Sequence, residues 1–305
     1  MKKRYENLDR IQTVKSIKDL IQWRKERRVK QKDLSFRVPA AEKTEEAFLQ
    51  DNRSVPTITW IGHSTFLIQA NGMNILTDPV WAGRLGLDKR LSKPGLPIDA
   101  LPPIDLVLIS HSHYDHLHYS SLRKLKGEPA FFVPIGLGPW FKKRGFGKTV
   151  EFNWWDEKSM DGLKITFVPA QHWTKRTLMD TNCSHWGGWV IGGKNQPYIY
   201  FAGDSGYFRG FKEIGKKFEI DFCLMPIGAY EPEWFMAEQH VSPEEAVRAF
   251  MDTGAKMMIP MHYGAYRLAD DTPKEALDRM YTEWKKRELG ADRLLVMKHG
   301  ETKRI

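Results

Sequence analysis

Cysteine is nearly absent, with Cys183 and Cys223 the only two in the chain. Two isolated cysteines cannot build a disulfide framework and argue against a thiolate metal site. A reducing, cytoplasmic setting is therefore expected. Long apolar runs are missing too, and no stretch approaches the ~20 residues that a membrane-crossing helix needs. Met1-Lys2-Lys3-Arg4 is followed by no apolar region, so no secretory signal is read. There is no short-period repeat and no low-complexity tract. What remains is a chain of 305 residues, 41% hydrophobic, which is enough for one sizeable core.

Charge is unevenly placed. The net value is +9, and residues 1–37 carry 13 Lys and Arg against 5 Asp and Glu. The rest of the chain is close to neutral. A near-neutral body argues against a groove that tracks nucleic acid. In the basic segment, Ile11, Val14, Ile17 and Leu20 or Ile21 fall at helical spacing, followed by Trp23 and Arg24-Lys25-Glu26-Arg27-Arg28. A basic amphipathic helix suits a membrane surface; the plainer alternative is a helix packed on its own domain. Residues 38–54 are polar and mixed in charge, and read as a connector. The division is therefore a basic N-terminal segment with connector over 1–54 and a catalytic domain over 55–305.

From Pro56 the texture changes. Thr57–Ile61, Thr65–Gln69 and Met73–Thr77 read as strands, the last two joined by the hairpin signal Asn71-Gly72. Residues 82–103 hold Gly, Pro and charges without periodicity and read as a long loop. Further strands are expected at Ile104–Ile109, Ala130–Val133, Ile165–Val168, Tyr198–Phe201, Phe222–Met225, Met257–Ile259 and Leu294–Met297. A helix should start at Ser242, with Pro243 first and Glu245 closing a capping box, and end at Gly254. Another spans roughly Lys274 to Arg287. Strand-rich halves with helices outside suggest two packed sheets covered by helices.

The densest chemistry is Ser110-His111-Ser112-His113-Tyr114-Asp115-His116. Imidazole and carboxylate suit zinc and its neighbours. Four such groups this close fit a tight loop wrapping a metal, placed after a buried strand where open sites lie in layered folds. His172, Asp204 and His262 also follow apolar runs. A lone histidine after a strand is more often structural, but beside this cluster each becomes a candidate ligand. Five histidines and two aspartates suffice for two metals sharing a bridging carboxylate.

With Gly62-His63-Ser64-Thr65 and Thr77-Asp78-Pro79 ahead of that cluster, the pattern resembles the metallo-β-lactamase superfamily. Longer motifs bring it closer. Gln171 to Asp180, Phe201 to Tyr207, Pro226 to Met236, Gln239 to Val247 and Leu295 to Glu301 resemble the N-acylphosphatidylethanolamine-hydrolysing phospholipase D family. The resemblance runs from about residue 56 to the C-terminus. It implies a four-layer αββα sandwich of the α/β class, with two Zn2+ per chain. His111, His113 and His172 would hold one ion, Asp115, His116 and His262 the other, with Asp204 bridging. Asp115, Asp204 and His240 would carry the catalysis, and Tyr114, Gln239 and His240 would meet the substrate. His63 and Asp78 would orient the ligand loop from outside it. The implied reaction is hydrolysis of N-acylphosphatidylethanolamine to N-acylethanolamine and phosphatidic acid. A phospholipid substrate, peripheral attachment to a membrane and a homodimer are expected with it.

Ser64, the loop from Ala82 to Ala100 and the N-terminal segment depart from the family pattern, so acyl-chain and headgroup preference are left open. Three rivals stand beside this reading. One is a hydrolase of the same fold acting on a smaller phosphodiester or lactone. Another is a metallo-ribonuclease. The third is a metal-bearing interaction protein without turnover.

Overall fold

The alternation after Pro56 becomes three antiparallel strands, β1 (Thr57–Gly62), β2 (Thr65–Ala70) and β3 (Met73–Thr77). The computed structural model describes residues 3–305. Asn71 (φ 47°) and Gly72 (φ 78°) both take left-handed backbone, as a two-residue hairpin matched to strand twist requires. The long loop after β3 holds a small hairpin of β4 (Arg84–Leu85) and β5 (Asp88–Lys89). β6 (Leu106–Leu108), β7 (Ala130–Pro134) and β8 (Thr149–Phe152) extend the sheet, each parallel to its neighbour from β3 onward. The second sheet has β9 (Glu157–Met160), β10 (Leu163–Val168), β11 (Gly188–Gly193) and β12 (Gln196–Phe201), antiparallel in turn. β13 (Phe222–Pro226) and β14 (Met257–Met261) join it parallel to β12. β15 (Thr302–Arg304) returns to the free edge of β1. The sheets run β15-β1-β2-β3-β6-β7-β8 and β14-β13-β12-β11-β10-β9.

The described residues form eight α-helices: α1 (Ile17–Val29), α2 (Glu46–Asp51), α3 (Tyr119–Leu122), α4 (Gly138–Lys142), α5 (Gly210–Lys217), α6 (Glu233–Met236), α7 (Pro243–Thr253) and α8 (Pro273–Lys286). The period-2 alternation of strand side chains decides which layer each residue meets. Trp60, Phe66, Ile68, Ile75, Leu106, Leu108 and Phe132 point into the core shared with the second sheet. Ile61, Leu67, Leu76, Val107, Phe131 and Val133 point the other way, against Leu49 of α2, Leu122 of α3 and Phe141 of α4. On the far side, Ile214 of α5, Phe250 of α7 and Met280 of α8 close the second sheet. The result is the four-layer αββα sandwich. α7 begins and ends where its sequence signals place it, with the Ser242–Glu245 capping box and Gly254 at φ 67°.

Some expectations fail for identifiable reasons. Leu294–Met297 is not a strand: Leu294 makes one isolated bridge to Met258, and the chain runs on to β15. β15 is polar because it pairs at an edge and is half-exposed, so hydrophobic pattern does not reveal it. β11 is central but carries three glycines, which dilute its apolar signal. At Gly188 a Cβ would sit 2.6 Å from the Phe201 carbonyl oxygen. The connector is not merely a connector, since Val38 and Leu49 are buried in the two main cores.

The N-terminal helix also differs from its expected register. Ile11 and Val14 lie outside it, and Ser16 and Asp19 form the capping box that starts it at Ile17. α1 rests on the domain through Trp23, which stacks on Phe235 at 5.0 Å and donates its indole N–H to Asp270. Asp270 is fully buried and paired with Lys30 at 2.9 Å. Lys32 is paired with Glu231 and Glu275. Part of the segment's positive charge is thus spent on internal ion pairs.

Candidate metal centre

The candidate residues gather at one edge of the sandwich, where β1, β3, β6, β10, β12 and β14 end. His63 follows β1, Asp78 follows β3, and the 111–116 loop follows β6 through Ile109 and Ser110. His172, Asp204 and His262 follow β10, β12 and β14. Gly203 lets the sheet edges close: at φ 64°, a Cβ there would meet Gly187 O at 2.8 Å and Ser110 Cβ at 2.9 Å. His63, Asp78 and His262 are non-glycine residues at φ 57°, 33° and 63°. Such backbone costs on the order of 1–3 kcal/mol each and concentrates at functional sites.

Asp204 sits at the centre. Its Oδ2 is 3.1 Å from both His116 Nε2 and His262 Nε2. It is 3.8 Å from His111 Nε2 and 3.9 Å from His172 Nε2. Asp115 Oδ2 lies 3.2 Å from His116 Nε2 and 3.4 Å from His262 Nε2. His113 turns its Nδ1 toward His111 Nε2 at 2.9 Å and His172 Nε2 at 3.2 Å. Four overlapping groups of converging atoms result: His111, His113 and His172; Asp115, His116 and His262 together with His63; Asp78, His111 and His116; and His172, Asp204 and His240.

Several ring tautomers are fixed from outside. Asp78 is fully buried and accepts from His116 Nδ1 at 2.6 Å, from the Ser110 hydroxyl at 2.5 Å and from the Ser110 amide at 2.7 Å. The Ser110 hydroxyl in turn meets His111 Nδ1 at 2.9 Å. Gln239 takes His172 Nδ1 on its main-chain oxygen at 2.9 Å. Each of these bonds occupies Nδ1 and leaves Nε2 facing inward, the arrangement that orients metal-binding imidazoles. His63 Nε2 holds Asp115 Oδ2 at 2.9 Å.

The donor set fits divalent metal ions. His116 Nε2, His262 Nε2 and Asp204 Oδ1 are buried without a hydrogen-bond partner. Burial, then the neighbouring imidazoles, push His111 and His172 well below the usual histidine range, so both are neutral and ready to ligate. Burial also disfavours charge on His262, but the Asp204 and Asp115 carboxylates, 3.1 and 3.4 Å from Nε2, outweigh it and push this ring up to about 9. His116 is raised for the same kind of reason. Burial likewise opposes ionisation of Asp204, yet His116 and His262 hold its carboxyl well below the usual range. Asp204 and the partly buried Asp115 thus favour positive charge on His116 and His262, a charge that a metal cation would supply in place of protons.

The residues expected to meet substrate are placed differently from one another. His240 stands at the mouth, with Nδ1 buried, unpartnered and 3.9 Å from Asp204 Oδ2. Tyr114 is exposed on the rim, its hydroxyl donating to Arg176 O at 2.8 Å. Gln239 is buried, and its side-chain amide turns to Phe235 O and Met236 Sδ, so it meets the site through its main chain. Sequence reasoning missed Ser110 and Arg176. The Arg176 guanidinium ties down the ligand loop by donating to Ser112 O at 2.6 Å and Leu117 O at 2.9 Å. Most of the aromatics near the motifs are packed in the protein, Tyr230 completely.

A family model described as a β-lactamase superfamily domain matches residues 73–263, which contain all seven candidate ligands. The chain belongs to the β-lactamase superfamily. It is 30% identical over 250 residues to a metal-dependent hydrolase of Methanopyrus kandleri, a match covering 80% of this chain and 98% of that one. It is 38% identical over 227 residues to N-acyl-phosphatidylethanolamine-hydrolyzing phospholipase D 1 of Caenorhabditis elegans. That match covers 68% of this chain but only 64% of the worm protein's length. Among solved structures, Igni18, a metallo hydrolase of Ignicoccus hospitalis, shares the fold. Its TM-score is 0.64 at 24% identity, over 83% of this chain and 99% of that one. The chain has the metallo-β-lactamase fold.

Proposed function

We propose that the protein is a dinuclear zinc phosphodiesterase of phospholipase D type, acting on N-acylphosphatidylethanolamine-like lipids at a membrane surface. What carries the reading is Asp204 Oδ2, placed between two ligand groups within 3.1–3.9 Å of four ligand histidines. His111, His113 and His172 would hold one ion and Asp115, His116 and His262 the other. When bound, the metal pair supplies Lewis acidity for the phosphoryl oxygens and lowers the pKa of the attacking water. The chain does the rest. Asp78, Ser110 and the Gln239 carbonyl aim the imidazoles, and His63 aims Asp115. Arg176 fixes the loop that bears the cluster. His240 Nδ1 is placed to hydrogen bond a substrate oxygen at the mouth.

The surface supports a lipid substrate. On α1, Ile17, Ile21, Arg24, Lys25, Arg28 and Lys18 share one outward face by 100° spacing, and all are exposed. Ile17 is 77% exposed and Ile21 62%. Leu178 and Met179, 89% and 84% exposed, follow Arg176 beside the ligand loop. The chain just ahead of α1 borders the site through Lys15, which pairs with Glu238 at 2.5 Å next to Gln239. Apolar side chains ringed by exposed cations match an anionic bilayer, each cation contributing roughly 1 kcal/mol near such a surface. Among the described residues, no helix is long and apolar enough to cross a membrane. An Ile17→Asp, Ile21→Asp double variant should sediment at least about tenfold less with vesicles containing phosphatidylserine, while keeping its rate on bis(p-nitrophenyl) phosphate. Unchanged sedimentation rules out this face.

The substrate reading is tested with mixed micelles of N-acylphosphatidylethanolamine and zinc-loaded protein, with products read by mass spectrometry against a chelated control. Zinc-dependent N-acylethanolamine and phosphatidic acid are expected. Cleavage of the soluble diester without lipid turnover moves the substrate to a smaller phosphodiester on the same site.

A further inference from the structure

His172 sits on a stretch without regular structure, from Pro169 to Gly187, yet its main chain is held on both sides. The holder is Asn7, 165 residues away. Asn7 Oδ1 accepts from His172 N at 2.9 Å, and Asn7 Nδ2 donates to His172 O at 2.9 Å. One side-chain amide thus satisfies both peptide groups of this residue, as a neighbouring strand would. Thr13 adds a second donor, its hydroxyl meeting His172 O at 2.9 Å. Asn7 is itself fixed: Oδ1 also accepts from Trp186 Nε1 at 2.9 Å, and Nδ2 lies 3.0 Å from Ile11 O. Asn7 and Thr13 are both buried. The strap they belong to is anchored at each end. Tyr5 stacks on His185 at 4.7 Å and donates its amide to Asn182 O, while Lys15 pairs with Glu238.

We infer that the N-terminal strap is part of the metal site, with Asn7 and Thr13 acting as positioning residues that hold His172 in ligating geometry. This rests on the reading of His172 as a metal ligand. The physical reason is preorganisation. The ring is already aimed through Nδ1 by the Gln239 carbonyl, but that bond fixes only the side chain. With the peptide groups pinned by Asn7, the residue's backbone is set before an ion arrives, and binding does not have to order the loop. Asn7 and Thr13 lie outside residues 73–263, the span matched by the family model. The strap is therefore an addition to that matched core. It also makes removal of the whole basic segment a poor test of membrane docking, since such a deletion disturbs the metal site as well.

The test is a Co2+ titration of the metal-free full-length protein, followed by visible absorption. His172→Ala and His262→Ala identify which binding phase belongs to which ligand group. Asn7→Ala should weaken the His172-dependent phase about 10–100-fold and leave the His262-dependent phase within about twofold of wild type. Thr13→Val should weaken the same phase less, and Thr13→Ser should restore it. Wild-type affinity in both phases of Asn7→Ala overturns the inference, as does equal weakening of both, which marks general loosening. If Asn7→Ala does not fold, the Thr13 pair decides, and wild-type affinity in Thr13→Val overturns the inference. A wild-type protein without any His172-dependent phase overturns the ligand reading itself, and the strap's role with it.

Discussion

Asp204→Asn should lower turnover by about 10³-fold or more, on the order of 4 kcal/mol in the barrier, and strip the protein of tightly held metal. The carboxylate is almost fully buried and reaches four candidate ligand histidines. An amide keeps the shape and one acceptor oxygen but removes the negative charge that balances two cations. It also places an N–H₂ among imidazole nitrogens that need to face a cation. The loss should therefore appear in both ligand groups at once, which separates a bridging residue from a ligand to one ion. Metal content by mass spectrometry and the rate on a soluble phosphodiester check it together. An Asn variant with full metal and full rate removes Asp204 from the centre of the account.

The second large effect falls on Asp78, which touches no substrate. It takes three hydrogen bonds in a fully buried position, from His116 Nδ1 and from both donors of Ser110. Through Ser110 it reaches His111 as well, so one carboxylate sets the tautomer of a histidine in each ligand group. Burial pushes its carboxyl up, against the pull of His116 and Ser110, so the group is held at a cost that only its partners offset. Asp78→Asn turns an N–H₂ toward donors or rotates the oxygen away from one of them. Metal affinity should fall about 10–100-fold. The metal-free protein should lose roughly 3–5 kcal/mol of stability, as when one partner of a buried charged network is removed. Urea unfolding of the metal-free variant and a metal titration measure the two effects separately. Unchanged metal affinity in a folded variant shows that the tautomers are fixed by something else.

The gathering of the candidate ligands was legible because each follows an apolar run that had to be a buried strand. Strand ends on one sheet edge meet in space, so His172, Asp204 and His262 could be joined to the 111–116 loop without knowing the packing. The α7 boundaries were legible for a similar reason, since Ser242, Pro243, Glu245 and Gly254 are local signals with local causes. Contacts between single polar residues far apart in the chain were not legible. Asn7 binds across 165 residues and Arg176 across 64, with no periodicity or spacing to announce either. The start of α1 was misplaced although its capping box is written in the sequence. Ile11 and Val14 continue the apolar spacing backwards from Ile17, and the Ser16–Asp19 cap overrules that spacing. β11 and β15 were missed because glycine in one and an edge position in the other remove the apolar pattern that marks a strand.

The proposed centre holds two metal ions around Asp204. The most direct measurement is an anomalous difference map from crystals of the zinc-loaded protein, collected above and below the zinc absorption edge. Two peaks about 3.5–4 Å apart are expected, one among His111, His113 and His172, the other among Asp115, His116 and His262, with Asp204 between them. A single peak, or none with the histidines paired to the two carboxylates alone, contradicts the dinuclear site.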